Sequence, residues 1–421
     1  MKILKLGRDS LLIPLFATIW RSILGDCDFG VHLAGATGVF KSELAALIQQ
    51  HYGPSLDARH LPGSWQSTDN ALEGLLFSGK DMVVVVDDFA PCGSSIEVSR
   101  WHKRADRVFR GQGNHSGRGR MKADGTLRPV KPPRGLVLST GEDIPRGQSL
   151  RARVLILEVG QGDISTDVLT DCQKLAREGV FASALAGYIH YLAPLYAQIR
   201  VGLRKEVEAF RGSALDGNAH CRTPELLANL FLGLHYFLCY AESTGAVSHD
   251  EVEPLKKRWW AALKDAGRKQ AAYQASQEPA QRFIELLTSA IGSGHAHLAN
   301  RNGRWPKNKP EAWGWREPGG ASRGEWLSQG TRVGWIDGDD IFLDLDAAFK
   351  VAQSMTSGTG DGLTVSAPTL RRRLAEKDML VRTAKRDELS VRRTLEGRER
   401  KVIHLARGIL CAKPAEPAEP A

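Results

Sequence analysis

The sequence predicts a mostly parallel α/β sheet in the first part of the chain, then a run of helices, then a small basic module of two helices and a hairpin. Three observations carry that expectation. Short apolar runs at 31–35, 82–86, 135–139 and 154–159 alternate with segments of helical spacing at 41–52, 69–77 and 94–110. Strands buried on both faces of a parallel sheet read as such continuous runs, with their crossover helices between them. From 166 to 292 the apolar residues recur at helical spacing over long stretches. Beyond 339 the order is strand (341–345), helix (346–354), turn (355–362), helix (367–377) and two strands (389–394 and 398–405) about a Glu396-Gly397 turn. Helix, helix and two-stranded wing are the order of a winged helix.

At 421 residues the chain exceeds one ordinary core. The expected divisions are a sheet core at 1–165, a helical region at 166–299, a Gly/Pro/Trp-rich connection at 300–338, the winged-helix-like module at 339–410, and a disordered Pro/Ala/Glu tail at 411–421. The first 25 residues read as a helical lead-in. Its apolar segment 11–20 follows Lys2, Lys5 and Arg8, as in a signal peptide, but no small-residue cleavage site comes after it. It therefore reads as a buried helix. No uncharged apolar stretch long enough to span a bilayer is read, so a cytoplasmic protein is expected. Thr223 reads as a helix N-cap with Pro224 behind it, and Ser366 as another N-cap. The six cysteines lie far apart, without the spacing of a zinc site.

The chemistry is concentrated in two motifs. Gly35, Ala36, Thr37, Gly38, Val39, Phe40, Lys41 and Ser42 follow a strand and open a helix. That is the context of a phosphate-binding P-loop: glycines let backbone N–H groups turn toward phosphates, and the helix N-terminus adds a positive dipole end. Lys41 would reach the β- and γ-phosphates and Ser42 would ligate Mg²⁺. Phe40 stands where the usual pattern has glycine. Some 45 residues on, the apolar run 83–86 ends in Asp87 and Asp88. Asp87 would hold the Mg²⁺ shell and Asp88 would orient the attacking water. Together they imply a P-loop NTP hydrolase using ATP and Mg²⁺.

These residues also carry a resemblance. The GATGVFKS loop, VVVVDDFAP, RGQGNHSGRGRMKADGTLRPVKPPRG, STGEDIPRGQSLRARVLILEV and WIDGDDIFLDLDAAF resemble the bacterial and mobile-element family of helicase-like ATPases catalogued as domain of unknown function 927. That family is similar in turn to the minichromosome-maintenance type of AAA+ helicase, whose loop also lacks the glycine before lysine. The resemblance implies an AAA+-like (ASCE) ATPase core with a helical lid and a C-terminal winged helix, working as a ring, most simply a hexamer. It implies that Ser139-Thr140 occupy the sensor-1 position, that Arg153 is the arginine finger completing a neighbour's site with Arg151 as second choice, and that Arg222 is a sensor-2 arginine. Each such guanidinium would neutralise charge on the transferring phosphoryl group.

The net charge of +9 is concentrated in two islands. Between Arg100 and Arg134 eleven Lys or Arg face only Asp106 and Asp124, and between Arg371 and Lys401 twelve face six acids. Such islands suit a polyanion, here DNA. In the first, the Asp124-Gly125 turn flanked by Arg120, Lys122 and Arg128 predicts a hairpin similar to the pore hairpin of ring helicases, gripping phosphates of a single strand. In the second, Arg371, Arg372 and Arg373 ride on the helix before the wing, and Arg392 and Arg393 decorate the wing, in position for a duplex. The function expected is an ATP-driven DNA helicase or translocase serving replication of a mobile element or phage-like unit. The alternative is an ATP-switched DNA-binding or loader protein that opens no duplex.

Overall fold

The computed structural model describes residues 1–212, 222–275, 278–317, 325–356, 363, 365–381 and 389–410. The expected tail at 411–421 and most of the expected turn at 355–362 lie outside the described residues. The chain divides into two compact units, Met1–Ala275 and Ser276–Ala421.

The first unit contains α1 (Asp9–Ile23), β1 (Gly30–Ala34), α2 (Lys41–Gln49), β2 (Gly63–Ser64), α3 (Asp69–Ser78), β3 (Val83–Phe89), α4 (Ser95–Gly113), β4 (Leu136–Gly141), α5 (Gln148–Arg151) and β5 (Val154–Glu158). It continues through α6 (Thr166–Arg177), α7 (Val180–Leu192), α8 (Tyr196–Arg211), α9 (Thr223–Ser243) and α10 (His249–Ala275). The five strands form one parallel sheet in the order β2-β3-β4-β1-β5. Alternate residues of each strand feed opposite layers, which explains the unbroken valine run. Val83 and Val85 join the core beneath α1, α2 and the later helices, whereas Val84 and Val86 meet Trp65, Leu72 and Phe109 on the other face.

The apolar segment near the N-terminus is α1, buried from Leu11 through Ser22. It crosses α9 where Gly233 lets the two backbones touch: a Cβ there would lie 2.6 Å from the Arg21 nitrogen. Arg21 is itself buried, its Nε and Nη2 donating to Asn229 Oδ1 at 2.9 and 2.6 Å. α9 begins one residue earlier than its cap signal suggests, with Arg222 at the N-cap and Thr223 already helical. At α4 the sequence holds a capping box, Ser94 and Glu97 satisfying each other's backbone N–H. One helical run bears on the membrane expectation. The helical run Val180–Arg211 is long and apolar enough, by length and composition, to cross a bilayer. Its first twenty residues carry no Asp, Glu, Lys or Arg.

The second unit holds α11 (Pro279–Gly292), β6 (Ala296–Asn300), β7 (Trp315–Arg316), β8 (Leu327–Ser328), β9 (Thr331–Asp337), β10 (Asp340–Leu343), α12 (Leu345–Ser354), α13 (Ala367–Glu376), β11 (Val391–Leu395) and β12 (Arg398–Ala406). Its main sheet runs β11-β12-β10-β9-β6, and β7 pairs with β8 apart from it. α11, expected to close the preceding helical region, lies in this unit. The stretch expected as a connection, 300–338, contributes β9 and the buried Trp313, Trp315 and Trp335 to the unit's core. These three tryptophans are core residues that a high Gly and Pro content disguised. The hairpin β11–β12 turns on Glu396 (φ 53) and Gly397 (φ 71), the left-handed pair of a tight two-residue turn.

Candidate nucleotide site and basic surfaces

The predicted loop is the turn between β1 and α2. Gly35 N–H donates to Gly141 O at 3.2 Å, and a Cβ on Gly35 would sit 2.2 Å from Val159 O, so the approach requires glycine. Val39 is buried and pins the turn into the core, while Ala36, Thr37, Gly38 and Phe40 face outward. α2 starts at Lys41, so its first N–H groups open onto the turn. Phe40 holds φ 67, the left-handed region that favours glycine. Its departure from the usual motif is therefore accommodated by backbone strain of roughly 1–2 kcal/mol.

Two motif residues converge on one carboxylate oxygen, and a third is tied to them. Ser42 Oγ donates to Asp87 Oδ1 at 2.9 Å, and the Thr140 hydroxyl donates to the same oxygen. Asp88 N–H donates to Thr140 Oγ1 at 3.1 Å, and its side chain accepts from Gln66 Nε2 at 3.3 Å. A register shift between Val86 and Phe89, with Asp88 at φ 67, turns the two acids out of the strand. Lys41 Nζ donates to Ala36 O at 2.6 Å. Burial lowers the Lys41 pKa, and Glu142, Asp87 and Asp88 counter that shift in descending order. The hydroxyl and carboxylate oxygens of Ser42 and Asp87 are the hard donors that Mg²⁺ accepts, and with a triphosphate it needs only one or two from protein. Among the described residues no three His, Cys, Asp or Glu side chains cluster as a protein-only metal cage.

Ser139 and Thr140 face opposite ways, as neighbours on a strand must. Thr140 meets Asp87, while Ser139 is sealed in a buried relay. Trp65 Nε1–H donates to Ser139 Oγ at 2.8 Å, Ser139 donates to His32 Nδ1 at 2.9 Å, and His32 Nε2–H donates to Asp143 O at 3.0 Å. Burial lowers the His32 pKa to about 4, so the ring is neutral and the relay keeps this direction. The segment it grips carries Glu142, whose carboxylate accepts from the Thr37 hydroxyl.

Arg153 and Arg222 lie elsewhere. Arg153 precedes β5, and Gly30 N–H, at the start of β1, donates to its carbonyl. The loop leaves the other end of β1, five residues and so roughly 16 Å away. The Arg153 guanidinium bonds Asn114 Oδ1 at 3.0 Å, and its pKa is lowered by burial first and then by the charges of Arg222 and Arg110. Arg153 thus stands at the end of the strands opposite its own loop, within reach of the Arg222 charge. Arg151 is buried, its Nε donating to Pro145 O at 3.4 Å.

The first basic island is partly internal. Arg104 and Arg107 both pair with Asp69, Arg110 with Asp106, and Arg120 with Glu73 and Asn70. The pairs to Asp69, Asn70 and Glu73 tie α4 and the following segment to α3, while Arg110–Asp106 lies within α4. The hairpin forms as expected, Met121 bridging Leu127 across the Asp124-Gly125 turn, with Lys122, Arg128, Met121 and Leu127 exposed. Between α3, α4 and the base of the hairpin lies a groove of about 510 Å³ lined by Arg104, Arg107, Arg118 and Lys131 among others. In the second unit Arg372, Arg373, Arg392 and Arg393 are exposed and Arg371 is half-buried. Arg373 pairs with Glu376, Arg392 with Glu399, and Arg393 lies over the Phe342 ring.

The sequence reading missed Glu142, Gln66, Trp65 and His32. A histidine inside an apolar strand and an acid just past Ser139-Thr140 were the available signals. Comparison with protein families finds no matching family, and comparison with curated proteins finds no match.

Proposed function

We propose that the first unit binds and hydrolyses ATP with Mg²⁺, and that the chain is the motor of a ring-forming assembly, most simply a hexamer, that moves on DNA. The observation that carries this reading is the convergence of Ser42 and Thr140 on one oxygen of Asp87 at the mouth of the glycine loop. In this reading Lys41 and the α2 N-terminus hold the phosphates, and Ser42 and Asp87 hold Mg²⁺ with its waters. Asp88 orients the attacking water, and Thr140 senses the γ-phosphate. Arg153, with Arg222 beside it, serves the site of an adjacent subunit, since its own loop is at the opposite end of the strands. The hairpin's Lys122 and Arg128 track a single strand through phosphate contacts. The second unit's order of α12, α13, β11 and β12 supports a winged helix, with Arg371 to Arg373 and Arg392 to Arg393 facing DNA phosphates.

The test is ATP turnover with and without single-stranded DNA, beside strand displacement on a forked duplex. Wild-type protein should hydrolyse ATP, respond to DNA and displace a strand, and Lys41→Ala should do none of these. A Lys41→Ala variant as active as wild type would overturn the site assignment. Turnover without displacement would favour the switch or loader over the motor.

A further inference from the structure

One acid at this site has no place in the scheme above. Glu142 follows β4 directly, and its backbone is braced from several sides. Its N–H donates to Phe89 O at 3.1 Å, and the next carbonyl, Asp143 O, accepts from His32. Farther along, Pro145 O accepts from Arg151, and Arg146 N–H donates to His102 Nδ1 at 3.3 Å. Strands β1 and β3 and helices α4 and α5 thus fix where this exposed side chain stands. It stands over the loop, bonded to the Thr37 hydroxyl. It is also the acid that acts most strongly on the Lys41 ammonium, ahead of Asp87 and Asp88.

An anion held by a loop hydroxyl beside the loop lysine occupies the kind of place a terminal phosphate takes. We propose that Glu142 is a resident carboxylate that competes with the γ-phosphate for Thr37 and Lys41, and so sets the site's preference between nucleoside triphosphate and diphosphate. The proposal rests on the nucleotide reading of the loop. A triphosphate must push the carboxylate off Thr37 and then bear a negative group beside its terminal phosphate. A diphosphate ends one phosphate short and escapes most of that repulsion. Because the carboxylate's backbone is braced, its retreat is confined to side-chain rotation, and the like charges stay close.

The experiment uses the full chain with Mg²⁺ and either the non-hydrolysable analogue AMP-PNP or ADP, measuring Kd by calorimetry. Glu142→Gln keeps the size and an oxygen for Thr37 but removes the charge. AMP-PNP should bind about tenfold tighter, the scale of one partly screened like-charge contact removed, while ADP changes less than about twofold. Glu142→Ala should shift AMP-PNP binding in the same sense. Equal tightening of both ligands, or no change in either, overturns the proposal. So does a fall in ATP turnover with unchanged AMP-PNP affinity, which would instead make Glu142 the acid that holds the attacking water. An effect of Ala without one of Gln would be steric and would overturn it as well. Lys41→Ala in the same assay separates the two readings. If it binds AMP-PNP as tightly as wild type, the nucleotide site itself is misassigned; if it loses binding while Glu142→Gln is silent, only the competing carboxylate fails.

Discussion

His32 and His51 are both fully buried, and burial holds the pKa of each at about 4 against the ordinary 6.5. His32 completes the Trp65–Ser139 relay, and His51 stacks on Phe181 with ring centroids 4.9 Å apart while its Nδ1–H donates to Leu47 O. Each ring stays neutral in the folded chain, whereas the unfolded chain takes up a proton as pH falls below 6.5. Stability is therefore complete above that value and is lost as pH falls toward about 4. Denaturant titrations at about pH 7.5 and about pH 5 should differ by ~2 kcal/mol for each histidine, and His51→Phe should remove roughly half of the slope. Equal stability at the two pH values would mean that neither ring is protected from protonation. Phe40 makes a related point about reading motifs. Its residue type breaks the usual pattern, yet its backbone adopts the conformation for which glycine is usually chosen.

Among the elements, the crossing of α1 and α9 shows a dependence that no local pattern announces. Gly233 is one of many small residues in an apolar helix, and only the partner's backbone gives it meaning. Gly233→Ala would force a methyl group against Arg21 and should cost ~1–3 kcal/mol by chemical unfolding. Gly74, in α3, has open space where its Cβ would go, so Gly74→Ala should be neutral or gain up to ~1 kcal/mol. If both substitutions behave alike, the close crossing does not govern stability. The contrast explains what the sequence made legible. Strand runs and the Asp124-Gly125 and Glu396-Gly397 turns are spelled within a few residues, and their elements lie close to where they are read. β9 pairs with its neighbour β10 across a tight turn but also, in parallel, with β6 on the far side of the whole stretch, and the core built on these strands is what buries the tryptophans, so the composition of 300–338 reads as loop.

Within the first unit the same divide runs through the site. Lys41, Ser42 and Asp87 were readable because strand, turn and helix put them at element ends in a fixed order, whereas Thr140 was reached only through the family resemblance. Glu142 was not, because its meaning comes from Thr37, more than a hundred residues earlier. The placement of Arg153 across the sheet from its own loop makes assembly testable at the scale of the whole molecule. Arg153→Ala should bind ATP yet lose turnover, by ~10³–10⁵ if it behaves as other fingers supplied in trans. Mixed with Lys41→Ala, it should regain part of the activity, since some interfaces would then pair an intact loop with an intact arginine. If two proven partners in one assembly remain inactive together, Arg153 does not act across an interface.

The hairpin has a further consequence that lies in its neck. Gly117 approaches Lys131 so closely that a methyl group on it would come within 2.7 Å of the Lys131 nitrogen. Just outside this neck, Ser116 N–H donates to Gly111 O, and Arg134 N–H donates to Leu76 O. The chain therefore leaves the core and returns to it at nearly one point. What lies between is a cassette with a closed base, able to lengthen, shorten or change its cargo of side chains over evolutionary time while the sheet and its loop-bearing edge inherit their shape undisturbed.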